Sequence, residues 1–260
     1  MSASIAMNVP AAIQSRLQAG RVPRFGPWLM LIARPAFALA AYGVALIFLR
    51  LLNIPNAAVA VRNWWTVYGT LIDFGCLALL FWFTLKEQIR LRDLISFSKA
   101  RLKTDIPLGL GIFVVVFPVC VIGGGGVVAP RLFRKKNPQL PEFTFIRTLP
   151  LLGALYSRVL WWPLWSLTEE LTFNGYTLPR LIAVTKSPWL SVALVSFFWS
   201  IQHSFLPWVN SQHGLYLLVM FIPLTIVLQI VYLRVRRLTP CIIGHWLMDL
   251  VSAVFMIQVG

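Results

Sequence analysis

Acidic residues are scarce in this sequence. The chain of 260 residues has eight Asp and Glu against 23 Lys and Arg, and only 12% of its residues are charged. A soluble domain has about 25% charged residues, so this chain is too poor in charge to cover a water-facing surface. Its hydrophobic fraction of 58% predicts instead a protein that crosses the membrane several times.

Cysteine is scarce as well, and its placement excludes two kinds of small domain. Cys76, Cys120 and Cys241 stand singly in apolar sequence, without a C-x-x-C pair. Neither a disulfide framework nor a zinc knuckle is therefore indicated. The first 26 residues lack the long apolar core and cleavage site of a signal peptide, and their arginines predict a basic cytoplasmic tail.

Seven apolar runs are long enough to span a bilayer, which requires about 20 residues. They cover residues 28–50, 64–85, 106–128, 148–178, 189–208, 214–233 and 240–258. The fourth run is expected to be interrupted, because Pro163 breaks or kinks a helix. The sequence thus predicts an all-α bundle of seven or eight transmembrane helices, with a tail at 1–26, N-terminal helices at 27–144 and a helical core at 145–260.

The net charge of +15 predicts contact with lipid headgroups and no binding of nucleic acid. Lys and Arg of membrane proteins collect near anionic lipid in cytoplasmic loops, and no nucleic-acid-binding motif is present. With the N-terminus inside, fourteen basic residues fall on the cytoplasmic side and seven on the other, although the basic run at 131–136 opposes this bias. The prediction is a cytoplasmic N-terminus in a bacterial cell-membrane protein.

Half of the carboxylates fall inside the predicted spans, together with two of the three histidines. The set is Asp73, Glu169, Glu170, His203, His245 and Asp249. Ionisable residues within a membrane are costly and are usually functional. Six of them, mostly in the C-terminal half, therefore predict a site. The third histidine, His213 in NSQHG, is predicted to be a solvated loop residue, and Asp73 is expected to pair with an Arg or with helix backbone.

Three pairs of residues recur at the spacing of one helix face. These pairs are Glu170 with Asn174, Trp199 with His203, and His245 with Asp249. A buried carboxylate beside a neutral imidazole can deprotonate a water molecule, and a second His can stabilise an oxyanion. The same Glu, His and Asp set could instead bind a divalent metal such as zinc.

In this order and on successive helices, EELTFNG, WSIQH and HWLMD resemble the motifs of the CPBP family of intramembrane proteases, the CAAX-prenyl protease and bacteriocin-processing (Abi) proteins. The family pattern has two adjacent Glu with an Arg four residues after the second. An aromatic residue then stands four before a His, and another His stands four before an Asn or Asp. The resemblance covers about residues 145–255. It implies an endopeptidase that cleaves a membrane-associated or prenylated-type protein or peptide near the cytoplasmic half of the membrane.

The resemblance implies a role for each matching residue. Glu169 would activate water, Glu170 would support the site, and His203 would help to hold the water. His245 and Asp249 would stabilise the oxyanion. The resemblance leaves open a glutamic mechanism without a cofactor and a metal-dependent one, in which Glu169, His203 and His245 would be the ligands.

Two positions depart from the family pattern. Trp199 replaces the usual Phe, and Asn174 replaces the usual Arg. An Asn cannot neutralise a buried carboxylate, so either one carboxyl is protonated or another Arg supplies the charge. Arg158 lies too far along the helix to do so.

Asn174 also motivates an alternative function, a non-catalytic membrane scaffold or bacteriocin self-immunity protein of the same fold. A third hypothesis is a transporter that carries protons on Asp73 and the glutamates. The lack of an inverted repeat counts against the transporter.

Overall fold

The structure, a computed structural model, describes residues 10–128, 147–206 and 208–260. The basic run at 131–136, used in the charge count, lies outside these residues. Within the described ranges the chain forms eight helices and one short pair of strands. The predicted all-α membrane bundle is confirmed.

The helices follow the predicted apolar runs closely. The N-terminal part contains α1 (Pro10–Gln18), α2 (Gly26–Leu51), α3 (Ala57–Lys86) and α4 (Leu102–Pro118), which continues as a π-helix over Val119–Val128. The C-terminal part contains α5 (151–185), α6 (Pro188–Ser204), α7 (Ser211–Val235) and α8 (Thr239–Met256). The strands are β1 (Arg147–Leu149) and β2 (Ile257–Val259), which pair in parallel.

Five helical stretches of the described chain are long and apolar enough to cross a membrane. They are Gly26–Leu51, Ala57–Lys86, Leu91–Gly124, Ser211–Val235 and Thr239–Met256. Large apolar side chains such as Phe48, Phe81 and Val114 point outward from these helices. In water such a surface would be unfavourable, whereas lipid tails solvate it. The outward apolar surface is thus what a membrane protein requires.

Pro163 does not interrupt the fourth run, so α5 is one continuous helical path. Two π-helical stretches, Ser157–Trp161 and Leu171–Thr177, are inserted between its α-helical parts. Pro163 is the second residue after the first π stretch. Proline is tolerated near the first turn of an α-helix, where a missing N–H costs little. The local change of helix type accommodates the proline that the sequence suggested would break the helix.

A buried ion cluster holds α1 against one end of the bundle. This end carries most of the basic residues, and we call it the basic end. Arg180 donates from Nε and Nη2 to the two carboxylate oxygens of Glu87, at 2.6 and 2.7 Å. Nε of Arg16 in α1 lies 3.4 Å from Oε2 of the same carboxylate. The pKa of Arg16 is lowered mainly by burial and also by the nearby positive charge of Arg180. Residues 10–18 of the predicted tail are therefore a packed helix.

The opposite end of the bundle is closed by β1 and β2, and we call it the strand end. Arg158 donates from Nε to the carbonyl of Ile257 at 3.1 Å. Arg147 donates from Nε to the carbonyl of Arg62, also at 3.1 Å. These contacts join α3, α5 and the C-terminal strand.

Two glycines allow α4 and α8 to approach closely. A Cβ atom on Gly244 would lie 2.9 Å from the carbonyl oxygen of Gly109, and one on Gly109 would lie 2.6 Å from Cγ2 of Ile243. Small residues at a crossing let two membrane helices pack backbone to backbone. This crossing fixes α8, which carries His245 and Asp249.

We expect Gly244→Ala to lower the stability of the protein in detergent, because the added methyl group has no space at the crossing. Overpacking of this kind costs about 1–3 kcal/mol. Gly111→Ala on α4 is the matched control, since a Cβ there meets no atom within 4 Å. Thermal unfolding followed by circular dichroism measures both variants. Equal midpoints for the two would contradict the close packing of α4 and α8.

Candidate active site

Glu169 is fully buried on α5 and surrounded by hydrogen-bond donors. Trp199 donates from Nε1 to Oε2 at 2.8 Å, and Gln202 donates from Nε2 to Oε1 at 2.5 Å. The Nη2 atom of Arg34 lies 3.5 Å from Oε1. A buried carboxylate is tolerated when it is paired and hydrogen-bonded, and these neighbours meet both conditions.

Arg34 is one of the site residues that the sequence analysis did not identify. It is fully buried on α2, donates from Nε to Oε1 of Gln202 at 2.7 Å, and donates from Nη1 to Oδ1 of Asp73 at 3.0 Å. Its guanidinium lies 4.4 Å from the ring centroid of Trp165. The expected pairing of Asp73 with an Arg is confirmed. The sequence signal was an Arg inside a predicted apolar span.

His203 presents one ring nitrogen to Glu169. Its Nδ1 is 3.0 Å from the carbonyl oxygen of Trp199, and because a carbonyl only accepts, Nδ1 carries the proton. Its Nε2, an acceptor in the neutral ring, lies 3.9 Å from Oε1 of Glu169. The imidazole stacks on Phe221 with a centroid separation of 3.8 Å, which fixes its orientation.

His245 lies among three carboxylates. Its Nδ1 is 3.2 Å from Oε1 of Glu170, and its Nε2 is 3.5 Å from Oε2 of Glu169 and 3.7 Å from Oδ2 of Asp249. The hydroxyl of Ser166 donates to Oδ2 of Asp249 at 2.5 Å. The structure therefore brings all five predicted site residues together.

A π-helical stretch immediately follows the two glutamates and is wholly buried. Phe173 in this stretch stacks on Trp199 with centroids 4.9 Å apart, and Asn174 donates to Oε2 of Glu170 at 2.8 Å. A Cβ on Gly175 would lie 2.7 Å from Cδ1 of Leu238, so a larger residue there would require the Leu238 side chain to shift. π-Helical turns occur often at functional sites, and this one orients the glutamate pair.

A cavity of about 320 Å³ opens beside the histidines. His203, His245 and Asp249 contribute its polar wall, while Phe117, Met248 and other apolar residues form the remainder. Ile257 of β2 also lines it, so the cavity extends from the histidines toward the strand end. Ligand sites commonly have this composition, a mostly apolar pocket with a few convergent polar groups.

The arrangement does not fit the metal site considered from the sequence. Among the residues that the structure describes, no group of three or more His, Cys, Asp or Glu is arranged to hold a metal ion. Both oxygens of Glu169 accept hydrogen bonds from N–H groups, and the neighbouring cation is Arg34.

The prediction for His213 is wrong. His213 is 1% exposed and lies in the first turn of α7. Asn210 caps this helix, and its side-chain oxygen accepts from the backbone N–H of His213 at 2.8 Å. The helix begins at Ser211, three residues before the predicted run at 214, and His213 is part of it.

We expect Trp199→Phe to destabilise the protein although Phe is usual in the family pattern. Phe keeps the stacking on Phe173 but removes the indole donor to Glu169. Loss of a donor to a buried acceptor costs about 1–3 kcal/mol. Trp189→Phe on the same helix is the control, since Trp189 is 74% exposed. Equal losses of unfolding free energy in detergent would show that the bond to Glu169 contributes nothing.

Residues 151–251 match a family model described as type II CAAX prenyl endopeptidase Rce1-like. No curated protein and no solved structure matches the chain. The matched segment contains Glu169, Glu170, His203, His245 and Asp249. The match confirms the resemblance predicted from the three motifs: residues 151–251 are similar to the CAAX-protease type of the CPBP family.

Proposed function

We propose that this chain is an intramembrane endopeptidase in which Glu169 activates a water molecule to hydrolyse a peptide bond. One observation carries the proposal. A fully buried carboxylate faces two imidazoles, which line an apolar cavity. The CAAX-type endopeptidase family supports peptide hydrolysis as the general reaction.

The first step is the attack of water. Nε2 of His203 and Oε1 of Glu169 are 3.9 Å apart, and a water with hydrogen bonds of about 2.8 Å spans such a separation. Each carboxylate oxygen has a second lone pair beyond the one already used. Glu169 therefore accepts a proton from the water as the water oxygen bonds to the carbonyl carbon of the substrate.

The second step needs a donor for the oxyanion that forms on the carbonyl oxygen. Nδ1 of His245 is directed at Glu170, which leaves Nε2 on the side of Glu169 and Asp249. With both ring nitrogens protonated, His245 donates from Nδ1 to Glu170 and from Nε2 to the oxyanion. Asp249, held by Ser166, orients His245. Collapse of the intermediate breaks the C–N bond, and Glu169 returns the proton to the leaving amine.

The cavity favours a substrate with an apolar group beside the scissile bond. Its lining beyond the histidines and Asp249 is almost wholly apolar, so burial of an aliphatic or aromatic group there is favourable. We propose a membrane-associated or prenylated-type protein or peptide as the substrate.

The position of the cavity indicates from which side of the membrane the substrate enters. If the N-terminus is cytoplasmic, as the charge bias predicts, the basic end of the bundle faces the cytoplasm. The cavity then extends toward the opposite face, because Ile257 and Trp161 of the strand end line it. This differs from the expectation of cleavage near the cytoplasmic half of the membrane.

Arg34 weakens the case for a non-catalytic scaffold. That alternative rested on Asn174, which leaves the glutamates without the usual cation. Here a buried guanidinium lies 3.5 Å from Glu169, so the carboxylate has a positive neighbour.

We expect Glu169→Gln to abolish proteolysis, because an amide cannot accept the proton of the attacking water. The measurement is proteomics of peptide termini in membranes of a deletion host that carries wild type or variant. Asp93→Asn is the control, a carboxylate in a turn at the basic end that caps the Arg90 N–H. Termini present with wild type and Asp93→Asn, but absent with Glu169→Gln, support the proposal. Identical termini in all three hosts contradict it.

A further inference from the structure

The cation beside Glu169 comes from a part of the chain that the family model does not cover. Arg34 lies on α2, whereas the match begins at residue 151. The usual Arg position is occupied by Asn174, whose amide donates to Glu170 at 2.8 Å. The oxygen of that amide is buried and has no hydrogen-bond partner among the described residues. Position 174 thus supplies no charge, and it faces the second glutamate.

We infer that Arg34 is the positioning residue that keeps Glu169 ionised in this protein, in place of the family's arginine at position 174. The inference rests on the proposed function only in calling Glu169 the base. Its physical content, a guanidinium that favours the charged form of a buried carboxylate, is independent of any reaction.

The side chain of Arg34 is fixed so that one of its nitrogens faces Glu169. Nη1 is bound to Asp73 of α3 and Nε to Gln202 of α6, at 3.0 and 2.7 Å. Nη2 has no hydrogen bond among the described residues and points to Glu169 at 3.5 Å. The planar fork of an Arg presents donors on three separate nitrogens in these directions, whereas a Lys carries all its donors on one nitrogen.

Gln202 forms a second link between Arg34 and Glu169. Its oxygen accepts from Arg34, and its amide donates to Glu169 at 2.5 Å. The arginine therefore sets which way the amide of Gln202 points, because the reversed amide would direct its N–H group at the guanidinium. Loss of Arg34 removes the positive charge and this orientation together.

Several other ionisable groups surround Glu169. They are Asp73 on α3, Glu170 on α5, His203 on α6, and His245 and Asp249 on α8. Of these, only the histidines can carry positive charge. Among the described residues around Glu169, Arg34 is the permanent cation, and burial without a paired cation favours the neutral form of a carboxyl group.

The test is infrared spectroscopy of the purified full chain in nanodiscs at neutral pH, which needs no substrate. A protonated carboxyl group has a C=O stretching band that a carboxylate lacks. We expect Arg34→Gln to gain this band, and Arg34→Lys, which retains the charge, to gain less of it. The band should persist in Arg34→Gln/Asp73→Asn and lose its Glu169 component in Arg34→Gln/Glu169→Gln.

The four proteins separate Glu169 from Asp73, which also loses its partner when Arg34 is replaced. No new band in Arg34→Gln would overturn the inference, as would a band that Asp73→Asn removes completely. If Arg34→Gln does not fold, the band of Arg34→Gln/Asp73→Asn is compared with that of the wild type instead. This double variant removes a cation and an anion together, so it leaves fewer unpaired charges. Failure of Glu169→Gln to stop proteolysis would refute the proposed function and leave this result unaffected.

Discussion

The burial of one carboxylate constrains much of this structure. Glu169 has no exposed surface, and the effective cost of moving an unpaired ion out of water is several kcal/mol. The chain offsets that cost with Arg34, Trp199 and Gln202, which come from α2 and α6. Helices α2 and α6 must therefore pack against α5 so that these three side chains all reach Glu169. The imidazoles of α6 and α8 then face the same carboxylate from the cavity side.

The polar cluster is compact because the backbone around it departs from regular α-helix. The π-helical stretch after Glu170 and the glycine crossing of α4 with α8 both bring helices closer than ordinary side chains allow. A second buried pair, Arg180 with Glu87, uses Nη1 of the arginine to bind carbonyls of Gly175 and Tyr176, at 3.3 and 3.2 Å. The π-helical stretch is thus held at the basic end by an ion pair and beside the cavity by aromatic stacking.

Spacing within a helix predicted that the glutamates, both histidines and Asp249 lie together, because i and i+4 positions share a face whatever the fold. Their catalytic roles stay predictions. The length of the apolar runs was sufficient to predict the helices. Arg34, Gln202 and Ser166 were not identified as site residues, since their partners lie 168, 33 and 83 residues away along the chain. Only tertiary packing decides such pairings. His213 was misplaced although Asn210, a good N-cap residue, stands three residues before it.

The account depends on the interaction between Arg34 and Glu169, and a double-mutant cycle measures it most directly. Arg34→Gln, Glu169→Gln and the double variant would be unfolded in detergent beside the wild type. Arg34→Gln leaves Glu169 buried without its cation, whereas the double variant removes both charges of the pair. Asp73 loses its partner in Arg34→Gln and in the double variant alike, so that loss cancels in the cycle. We predict that the double variant loses less stability than the sum of the single variants, by about 2 kcal/mol or more. Additive losses, within about 0.5 kcal/mol, would contradict the account.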